Sequence, residues 1–281
     1  MKFPLIVKWS ITDRCNLRCK HCYRSNRINE ITREEADLII EELYKNKVGC
    51  VALTGGEPCL AQEFIYIVEL LHEKGIKTEI ATNGYYITDD MINMFKKNQI
   101  SIIQISVDGY NKKVNDFIRG AGTFEIIKNN IKLLLDNGIK VVIAHTLNHY
   151  NCRYMDYMVN FFHEIKATAL RFEVYIPICE DRFNLKLDIE DIKFIKRKFK
   201  TYDKYNNIVI PNHYTNCGAG KYMAMINSDM SMSPCDLLCD KVKSKMSINI
   251  NHNISDIWNN DVVLKSWKNY EYSGCKLTTE F

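Results

Sequence analysis

Three cysteines follow the first apolar segment of the chain, at Cys15, Cys19 and Cys22, with the spacing Cys-x3-Cys-x2-Cys. Cysteine thiolates are the usual ligands of iron–sulfur clusters, and a four-iron cluster normally takes four of them. Because no fourth cysteine lies nearby in the sequence, the trio predicts a cluster in which one iron binds something other than protein. That ligand would be a substrate or a cofactor.

Zinc is the main alternative to iron in this segment. A zinc site could use the same three cysteines with His21 as fourth ligand, but such sites usually pair two short ligand spacings across a gap. Disulfides are a weaker alternative, because the residues after Met1 do not form the charged leader, apolar core and cleavage site of a secreted protein. The sequence therefore predicts a reduced, cytoplasmic protein.

The composition indicates a globular protein with a sizeable core. The chain has 281 residues, of which 46% are hydrophobic, and no apolar run approaches the roughly 20 residues of a membrane span. The 38 basic and 34 acidic residues give a formal net charge of +4. The densest basic segment, 193–200, carries apolar residues at helical spacing, which predicts a solvated helix face. Neither membrane insertion nor nucleic-acid binding is predicted.

The elements that would position the cysteines alternate between short β-rich runs and longer amphipathic segments. This alternation is typical of parallel strands joined by crossover helices, and it predicts an α/β fold. Each predicted strand is followed by a segment rich in Gly, Asn, Asp, Cys or Pro, so these segments would share one rim of a barrel. The predicted strands are 5–11, 48–54, 77–82, 101–107, 140–146 and 169–175, and the predicted helices are 33–46, 63–74, 89–97, 124–137, 154–164 and 188–200.

A second motif, Thr54-Gly55-Gly56-Glu57-Pro58, directly follows the second predicted strand. Paired glycines let a small ligand approach backbone carbonyls closely, and a neighbouring carboxylate complements a cation. Alone, such a string is an ordinary turn. One strand after the cysteine loop, in which aromatic His21 precedes the last cysteine, it resembles the GGEP element of the radical S-adenosylmethionine (SAM) enzymes, and the resemblance covers the whole chain.

The resemblance implies a four-iron four-sulfur cluster held by Cys15, Cys19 and Cys22, whose open iron binds the amino and carboxylate groups of SAM. An electron from the cluster then breaks the C5′–S bond and yields a 5′-deoxyadenosyl radical, which takes a hydrogen atom from substrate. It also implies that the loop of Gly55, Gly56, Glu57 and Pro58 receives the SAM ammonium. The implied fold is a partial (β/α)6 TIM-like barrel with a small cysteine-rich C-terminal extension.

Further SAM contacts are implied on the same rim. Ser106 and Asp108 lie in a segment that in many relatives hydrogen-bonds the SAM ribose and carboxylate, and Asn83 has a comparable position after the third strand. Arg119 resembles an arginine that pairs with the SAM carboxylate, although a surface arginine is an equal alternative. His21 is counted with these cofactor-binding residues.

Four more cysteines lie in the last third of the chain, and their surroundings resemble the SPASM and twitch extensions of radical SAM enzymes. The resemblance implies one auxiliary iron–sulfur cluster, because a full SPASM region needs about seven or eight cysteines. Zinc is the alternative here, since four thiolates suit tetrahedral zinc. Two features depart from the family pattern: Met230 replaces the usual glycine of a predicted hairpin turn, and Cys239 has an unmatched spacing. The implied ligands are Cys217, Cys235, Cys239 and Cys275.

The predicted organisation is a barrel over 1–181, a connecting helix and strand over 182–210, and an auxiliary-cluster region over 211–281. Cys179 lies just past the sixth strand, where substrate would approach the radical. Its thiol is a candidate hydrogen-atom donor, as in some peptide epimerases of the family, and the alternative is a semi-buried cysteine without chemistry. Glu173, Tyr175 and His145 are candidate barrel-lining residues, but strand alternation alone does not assign their faces.

The leading hypothesis is a radical SAM enzyme that modifies a ribosomally made peptide by cross-linking, oxidation or epimerisation. Its implied partners are a reductant such as flavodoxin or ferredoxin and a separate leader-peptide-binding protein, because the first strand begins near Leu5. The enzymatic alternative is a dehydrogenase of a small molecule, a sugar alcohol or a tetrapyrrole side chain. The non-enzymatic alternative is a zinc or iron–sulfur electron-transfer protein, which would need no SAM-binding loop.

Overall fold

The short apolar runs of the sequence form the strands of one sheet. The structure, a computed structural model, describes residues 3–24, 28–211 and 218–268. The strands within these ranges are β1 (Ile6–Ser10), β2 (Cys50–Thr54), β3 (Lys77–Thr82), β4 (Ile102–Ser106), β5 (Val141–Leu147), β6 (Ala169–Val174), β7 (Ile208–Val209), β8 (Met223–Ile226) and β9 (Met232–Ser233). Their order in the sheet is β7-β6-β5-β4-β3-β2-β1-β8-β9. All neighbours are parallel except β8 and β9, which form an antiparallel hairpin.

Helices connect the parallel strands, and several of them begin at residues whose side chains accept hydrogen bonds from free backbone N–H groups. Thr32 and Asp188 each form a capping box with the residue three positions further on. Asn111 accepts a hydrogen bond from the backbone of Val114 at the start of a shorter helix. The helices of the described residues are α1 (Arg33–Lys45), α2 (Phe64–Glu73), α3 (Asp89–Lys97), α4 (Lys112–Arg119), α5 (Thr123–Asp136), α6 (Met155–Ile165), α7 (Ile189–Tyr202), α8 (Ile254–Asn260) and α9 (Val262–Lys268).

The two faces of the sheet differ in burial. On β1, Val7 and Trp9 are fully buried in the main core, whereas Lys8 between them is only partly buried. Lys8 pairs in register with Ala52 of β2, so both lie on the same face. Since crossover helices cover the first face, the face of Lys8 is the interior of the partial barrel.

The six strands predicted from the sequence are all present in the predicted order, with ends that shift by at most two residues. The predicted α/β fold is confirmed. Helix α4 was not expected, because its eight residues are fewer than the roughly 11 over which a helical period is read. No helix within the described ranges has the length and apolar character needed to cross a membrane.

The C-terminal part of the chain belongs to the same sheet and core as the barrel. Strand β8 pairs with β1 in parallel, through Met225 and Lys8 among others, and Ile257 and Trp258 are buried in the main core. The predicted hairpin is present, and Met230 in its turn has φ +64°. That left-handed conformation explains why glycine is usual at this position in the family pattern.

Candidate functional site

The cysteine loop follows β1 and has no regular structure of its own. Its backbone is held by neighbouring segments: Lys20 N donates to Ile118 O at 2.9 Å, and Cys22 N donates to Cys19 O at 3.0 Å. Cys15 and Cys19 are half-buried, and Cys22 is exposed. The three thiols therefore lie on the rim at the carboxyl end of the first barrel strand, as the sequence predicts.

Three N–H donors from different parts of the chain point at the cysteine sulfurs. The Cys15 sulfur accepts from Leu17 N at 3.5 Å and from Asn83 Nδ2 at 3.9 Å. The Cys19 sulfur accepts from Arg119 Nη1 at 3.9 Å. Donors and a guanidinium around sulfur stabilise thiolate charge, so this environment fits a thiolate-ligated iron–sulfur cluster.

The spacing of the sulfurs bears on the choice between iron and zinc. Within the described residues, the one trio of ligand atoms lying within 4.8 Å of one another is His149, Asp188 and Asp191, so at least two of the three cysteine sulfurs are more than 4.8 Å apart. A tetrahedral zinc ion would hold its sulfurs about 3.8 Å apart, from a zinc–sulfur bond of about 2.3 Å. As they stand, the three cysteine sulfurs do not have the spacing of a tetrahedral zinc site.

Burial raises the pKa of Cys15, and it raises the pKa of Cys19 to about 11 although Arg119 opposes this. Both groups are consequently thiols at neutral pH in the metal-free protein. Metal ligation requires their deprotonation, so loading would release protons.

The glycines of the second motif pack directly against the cysteine loop. A Cβ atom on Gly55 would lie 2.4 Å from Thr12 O, and one on Gly56 would lie 2.2 Å from Arg14 O. Gly56 N donates to Thr12 O at 2.7 Å, which joins the two loops. Both glycines make room for the neighbouring backbone on their Cβ side, and their role in receiving the SAM ammonium stays a prediction.

Glu57 is buried behind this loop. Its carboxylate accepts hydrogen bonds from Thr82 Oγ1 at 2.6 Å, from Cys59 N at 3.2 Å and from Asn83 N at 2.7 Å. Burial raises the pKa of Glu57, and these hydrogen bonds oppose the rise. Both carboxylate oxygens are occupied by protein donors, so the contacts support a role in positioning Asn83, and direct contact with a ligand cation stays a prediction. Pro58 starts the buried 3₁₀ turn Pro58–Leu60 that follows.

Asp108 lies fully buried at the centre of the rim. Its Oδ2 is 2.6 Å from His21 Nε2 and 2.8 Å from Arg119 Nε, and its Oδ1 accepts from Thr146 N at 2.9 Å. Burial alone would raise the pKa of Asp108, but Arg119 and His21 outweigh it and hold that pKa well below its usual range. Asp108 therefore joins the cysteine loop to α4 and β5. Ser106 is half-buried at the end of β4, two residues before Asp108.

Asn151 was missed in the sequence, although the segment that contains it was recognised as a rim loop. It is fully buried, and its Nδ2 donates to Asp108 O at 3.1 Å and to Thr146 O at 2.9 Å. Its Oδ1 accepts from Asn148 N at 2.8 Å. The signal in the sequence is an asparagine pair after the fifth strand, which cannot be told from an ordinary turn.

Two of the four tail cysteines lie in the described part of the chain. Cys235 is half-buried and Cys239 is buried, at the two ends of the 3₁₀ turn Asp236–Leu238. Asp236 pairs with Lys8 of β1 at 2.7 Å, which holds this turn over the barrel interior. Burial raises the pKa of both thiols, that of Cys239 to about 11. The predicted ligands Cys217 and Cys275 lie outside the described residues.

Cys179 is exposed and close to the cysteine loop. Its sulfur lies 3.5 Å from Tyr23 O, one residue beyond Cys22. Among the candidate lining residues, His145 pairs in register with buried Phe172 and is itself buried, whereas Glu173 lies on the alternate face of β6. His145 therefore belongs to the core beneath the helices, and Glu173 faces the barrel interior.

Comparison with protein families decides the membership of the chain. The profile described as the radical SAM superfamily matches residues 9–161, more than half of the sequence. The chain belongs to the radical SAM superfamily. Family membership implies SAM and a 4Fe-4S cluster, and the donors around Cys15 and Cys19 fit that cluster.

Curated relatives of this radical SAM protein include a synthase, a bacteriocin biosynthesis protein and a maturase. Fe-coproporphyrin III synthase of Methanosarcina barkeri is 31% identical over 215 residues, which are 72% of this chain and 53% of that protein. The subtilosin biosynthesis protein AlbA of Bacillus subtilis is 27% identical and covers 94% of this chain and 62% of its own length. The mycofactocin maturase MftC of Mycolicibacterium smegmatis is 31% identical over 48% of this chain and 35% of its own. The chain thus spans between about a third and under two thirds of the length of these relatives.

Solved structures share the radical SAM fold at low identity. Streptococcus suis SuiB bound to the precursor peptide SuiA superposes with a TM-score of 0.82 and 18% identity, over 96% of this chain and 68% of that chain. An anSMEcpe structure with bound AdoMet and the Cp18Cys peptide gives 0.76 and 19%, over 90% and 79%. At such identity the likeness establishes the fold.

Proposed function

We propose that this protein cleaves SAM reductively at a four-iron four-sulfur cluster held by Cys15, Cys19 and Cys22, and that it modifies a ribosomally made peptide. The bound cluster and SAM would supply a 5′-deoxyadenosyl radical, which takes a hydrogen atom from the substrate. The observation that carries the proposal is the convergence of N–H donors from three segments on the sulfurs of Cys15 and Cys19.

The residues of the chain would hold and orient these groups. Arg119 is positioned by Asp108, with an Nε–Oδ2 distance of 2.8 Å, while its Nη1 reaches the Cys19 sulfur. Asn83 is positioned by Glu57 and reaches the Cys15 sulfur. We propose that the loop of Gly55, Gly56, Glu57 and Pro58, which Gly56 N joins to the cysteine loop, receives the SAM ammonium. Ser106, Asp108 and His21 would orient SAM on the same rim.

The peptide substrate is supported by relatives and by the architecture. AlbA and MftC are named for a bacteriocin and a maturase, and SuiB binds a precursor peptide. Cys179 lies exposed beside Tyr23 on this rim, where its thiol would donate a hydrogen atom to a substrate radical. A flavodoxin or ferredoxin would supply the electron, and a separate protein would bind the leader peptide.

A second candidate substrate is a tetrapyrrole side chain. It is supported by the 31% identity to Fe-coproporphyrin III synthase over 72% of this chain. Two cations, Lys8 and Arg171, lie on the interior face of the strands, and propionate groups would pair with such side chains. Lys8 is already paired with Asp236, so this candidate ranks second.

We propose one auxiliary iron–sulfur cluster in a SPASM- or twitch-like region, with Cys217, Cys235, Cys239 and Cys275 as ligands. The Lys8–Asp236 pair supports this by holding the Cys235 turn over the barrel interior. From there a cluster would accept an electron from a substrate radical, which suits a net two-electron oxidation or a cross-link.

Anaerobic reconstitution with iron and sulfide, followed by SAM and dithionite, tests the central claim. We expect 5′-deoxyadenosine from the native protein and none from the Cys15→Ala, Cys19→Ala, Cys22→Ala triple variant. Cys152→Ala is the matched control, because Cys152 is buried beyond the fifth strand and should not affect the yield. Loaded iron without SAM cleavage would leave an electron-transfer protein as the better assignment. Stimulation by a peptide substrate or by Fe-coproporphyrin III would separate the two candidate substrates.

A further inference from the structure

Arg24 carries a buried N–H group that no described atom accepts. Its side chain is only 12% exposed. Nη1 donates to Ser10 Oγ at 3.0 Å and lies 3.5 Å from Asp13 Oδ1, whereas Nη2 is buried without a hydrogen-bond partner. Leaving a charged donor buried and unsatisfied costs more than leaving a neutral one. Such a group calls for a physical explanation, and a missing ligand is one.

Arg24 lies where the cysteine loop meets the C-terminal turn. Asp13, which faces Arg24, also accepts from Ser228 Oγ of the β8–β9 hairpin at 2.8 Å. On the other side, Tyr23 O contacts the Cys179 sulfur at 3.5 Å. The residue before that cysteine, Ile178, packs against the apolar cluster of Leu238, as does Cys235, and the Ile178 carbonyl accepts a hydrogen bond from Lys241.

The groups around Arg24 are mostly anionic or able to become so. Burial alone would lower the pKa of Arg24, but Tyr23, Cys239, Asp13 and Asp240 outweigh it and raise that pKa. Contacts through Tyr23, Cys179 and Ile178 link the segment of Arg24 to the turn that carries Cys235 and Cys239.

We propose that Arg24 is a positioning residue of the auxiliary iron–sulfur centre, and that its free Nη2 donates to a sulfur atom of that centre beside Cys239. This inference rests on the proposed function, which assigns Cys235 and Cys239 to the centre. Hydrogen bonds and positive charge near cluster sulfurs favour the reduced, more negative state. Arg24 thus makes the auxiliary centre a better electron acceptor.

The test uses the Cys15→Ala, Cys19→Ala, Cys22→Ala background, in which the auxiliary centre is the remaining cluster. Iron and sulfide content and the midpoint potential, from a redox titration followed by electron paramagnetic resonance, are compared for Arg24→Gln and Arg24→Lys. Arg182→Gln is the control, since that guanidinium is exposed and paired with Glu180. We expect Arg24→Gln to shift the reduced-to-oxidised ratio at least tenfold toward the oxidised form, which is 59 mV for one electron. Arg24→Lys should shift it less, and the control should not shift it.

Each other outcome has a distinct meaning. A redox midpoint potential in Arg24→Gln equal to that of the background overturns the inference, while the proposal of an auxiliary cluster stands. Absence of iron from the background itself removes the auxiliary cluster from the proposed function, and the inference with it, without affecting SAM cleavage by the native protein. If Arg24→Gln loses the cluster, its midpoint of urea unfolding separates a direct contact from a structural role. An unchanged urea midpoint supports a direct contact between Arg24 and the cluster. A lower urea midpoint in both Arg24→Gln and Arg24→Lys assigns Arg24 a structural role and overturns the inference.

Discussion

Replacing Asp108 by asparagine tests whether a buried ion pair holds the rim together. Asp108 contacts Arg119, His21 and the backbone of Thr146, and its side chain is inaccessible to solvent. Asparagine has the same shape and its oxygen can still accept from Thr146 N. Its amide nitrogen, however, would face the Arg119 guanidinium in place of a carboxylate oxygen.

The expected cost follows from the burial of the cation left behind. The Arg119 side chain is 6% exposed, so it would lose its counterion without gaining water. Removing one partner of a buried pair costs about 3–5 kcal/mol of unfolding free energy. Asp191→Asn is the matched control, because Asp191 is 2% exposed and also contacts a histidine and an arginine, His149 and Arg153, but these are 45% and 47% exposed. We expect Asp191→Asn to cost about 1–2 kcal/mol of unfolding free energy, because its ion pairs are screened by solvent and only a helix cap is weakened.

The assay is urea unfolding of the metal-free protein, followed by circular dichroism across pH. Because the folded-state pKa of Asp108 is depressed, its contribution is complete above the unfolded value of about 3.9 and is lost as pH falls below it. The native protein should therefore lose stability more steeply below pH 4 than the asparagine variant. A cost below about 1 kcal/mol, or one no larger than that of Asp191→Asn, would refute the reasoning.

Three further substitutions test the packing of the site. Gly56→Ala should lower the unfolding free energy by on the order of 3 kcal/mol, because its Cβ would meet Arg14 O at 2.2 Å. Gly75→Ala is the control and should cost about 1 kcal/mol, since its Cβ would enter open space but its φ is +68°. Urea unfolding midpoints of the two variants are compared. His145→Gln should flatten the fall in urea midpoint as pH drops below about 6.5, because burial lowers the pKa of His145 and the folded protein resists its protonation. Met230→Gly should change thermal stability by no more than about 2 kcal/mol, since relief of φ +64° offsets lost burial of the side chain.

The strands of the barrel could be predicted because each is a short apolar run bounded by turn residues. Strand β3 matches its predicted span, and β4 differs by one residue at each end. Helix α4 was not predicted, since its apolar residues Val114, Phe117 and Ile118 have helical spacing but lie in a segment shorter than the roughly 11 residues over which a period is read. The pairing of β8 with β1 was equally hidden, because register between distant segments leaves no local trace in the sequence.

At the site, residue types could be predicted better than the partners of the side chains. The cysteine spacing and the Gly-Gly-Glu-Pro string locate the rim, but a string of residues does not say what a small residue makes room for. In the structure, the carbonyl oxygens of Thr12 and Arg14 lie where Cβ atoms on Gly55 and Gly56 would be. Glu57 likewise faces inward to Thr82 and Asn83.

These contacts suggest how the rim is organised. The acidic residues Glu57 and Asp108 are buried and each fixes a second residue, Asn83 and Arg119 respectively, which reaches a cysteine sulfur. The carboxylates thus act on the cluster loop through an intermediate donor. Replacing a carboxylate should therefore lower iron loading about as much as replacing the donor that it positions. Asp108→Asn and Arg119→Gln should lower the iron content of the reconstituted protein to a similar extent. Combining them should add little, because the effects of residues that contact one another in a single chain of interactions are not additive.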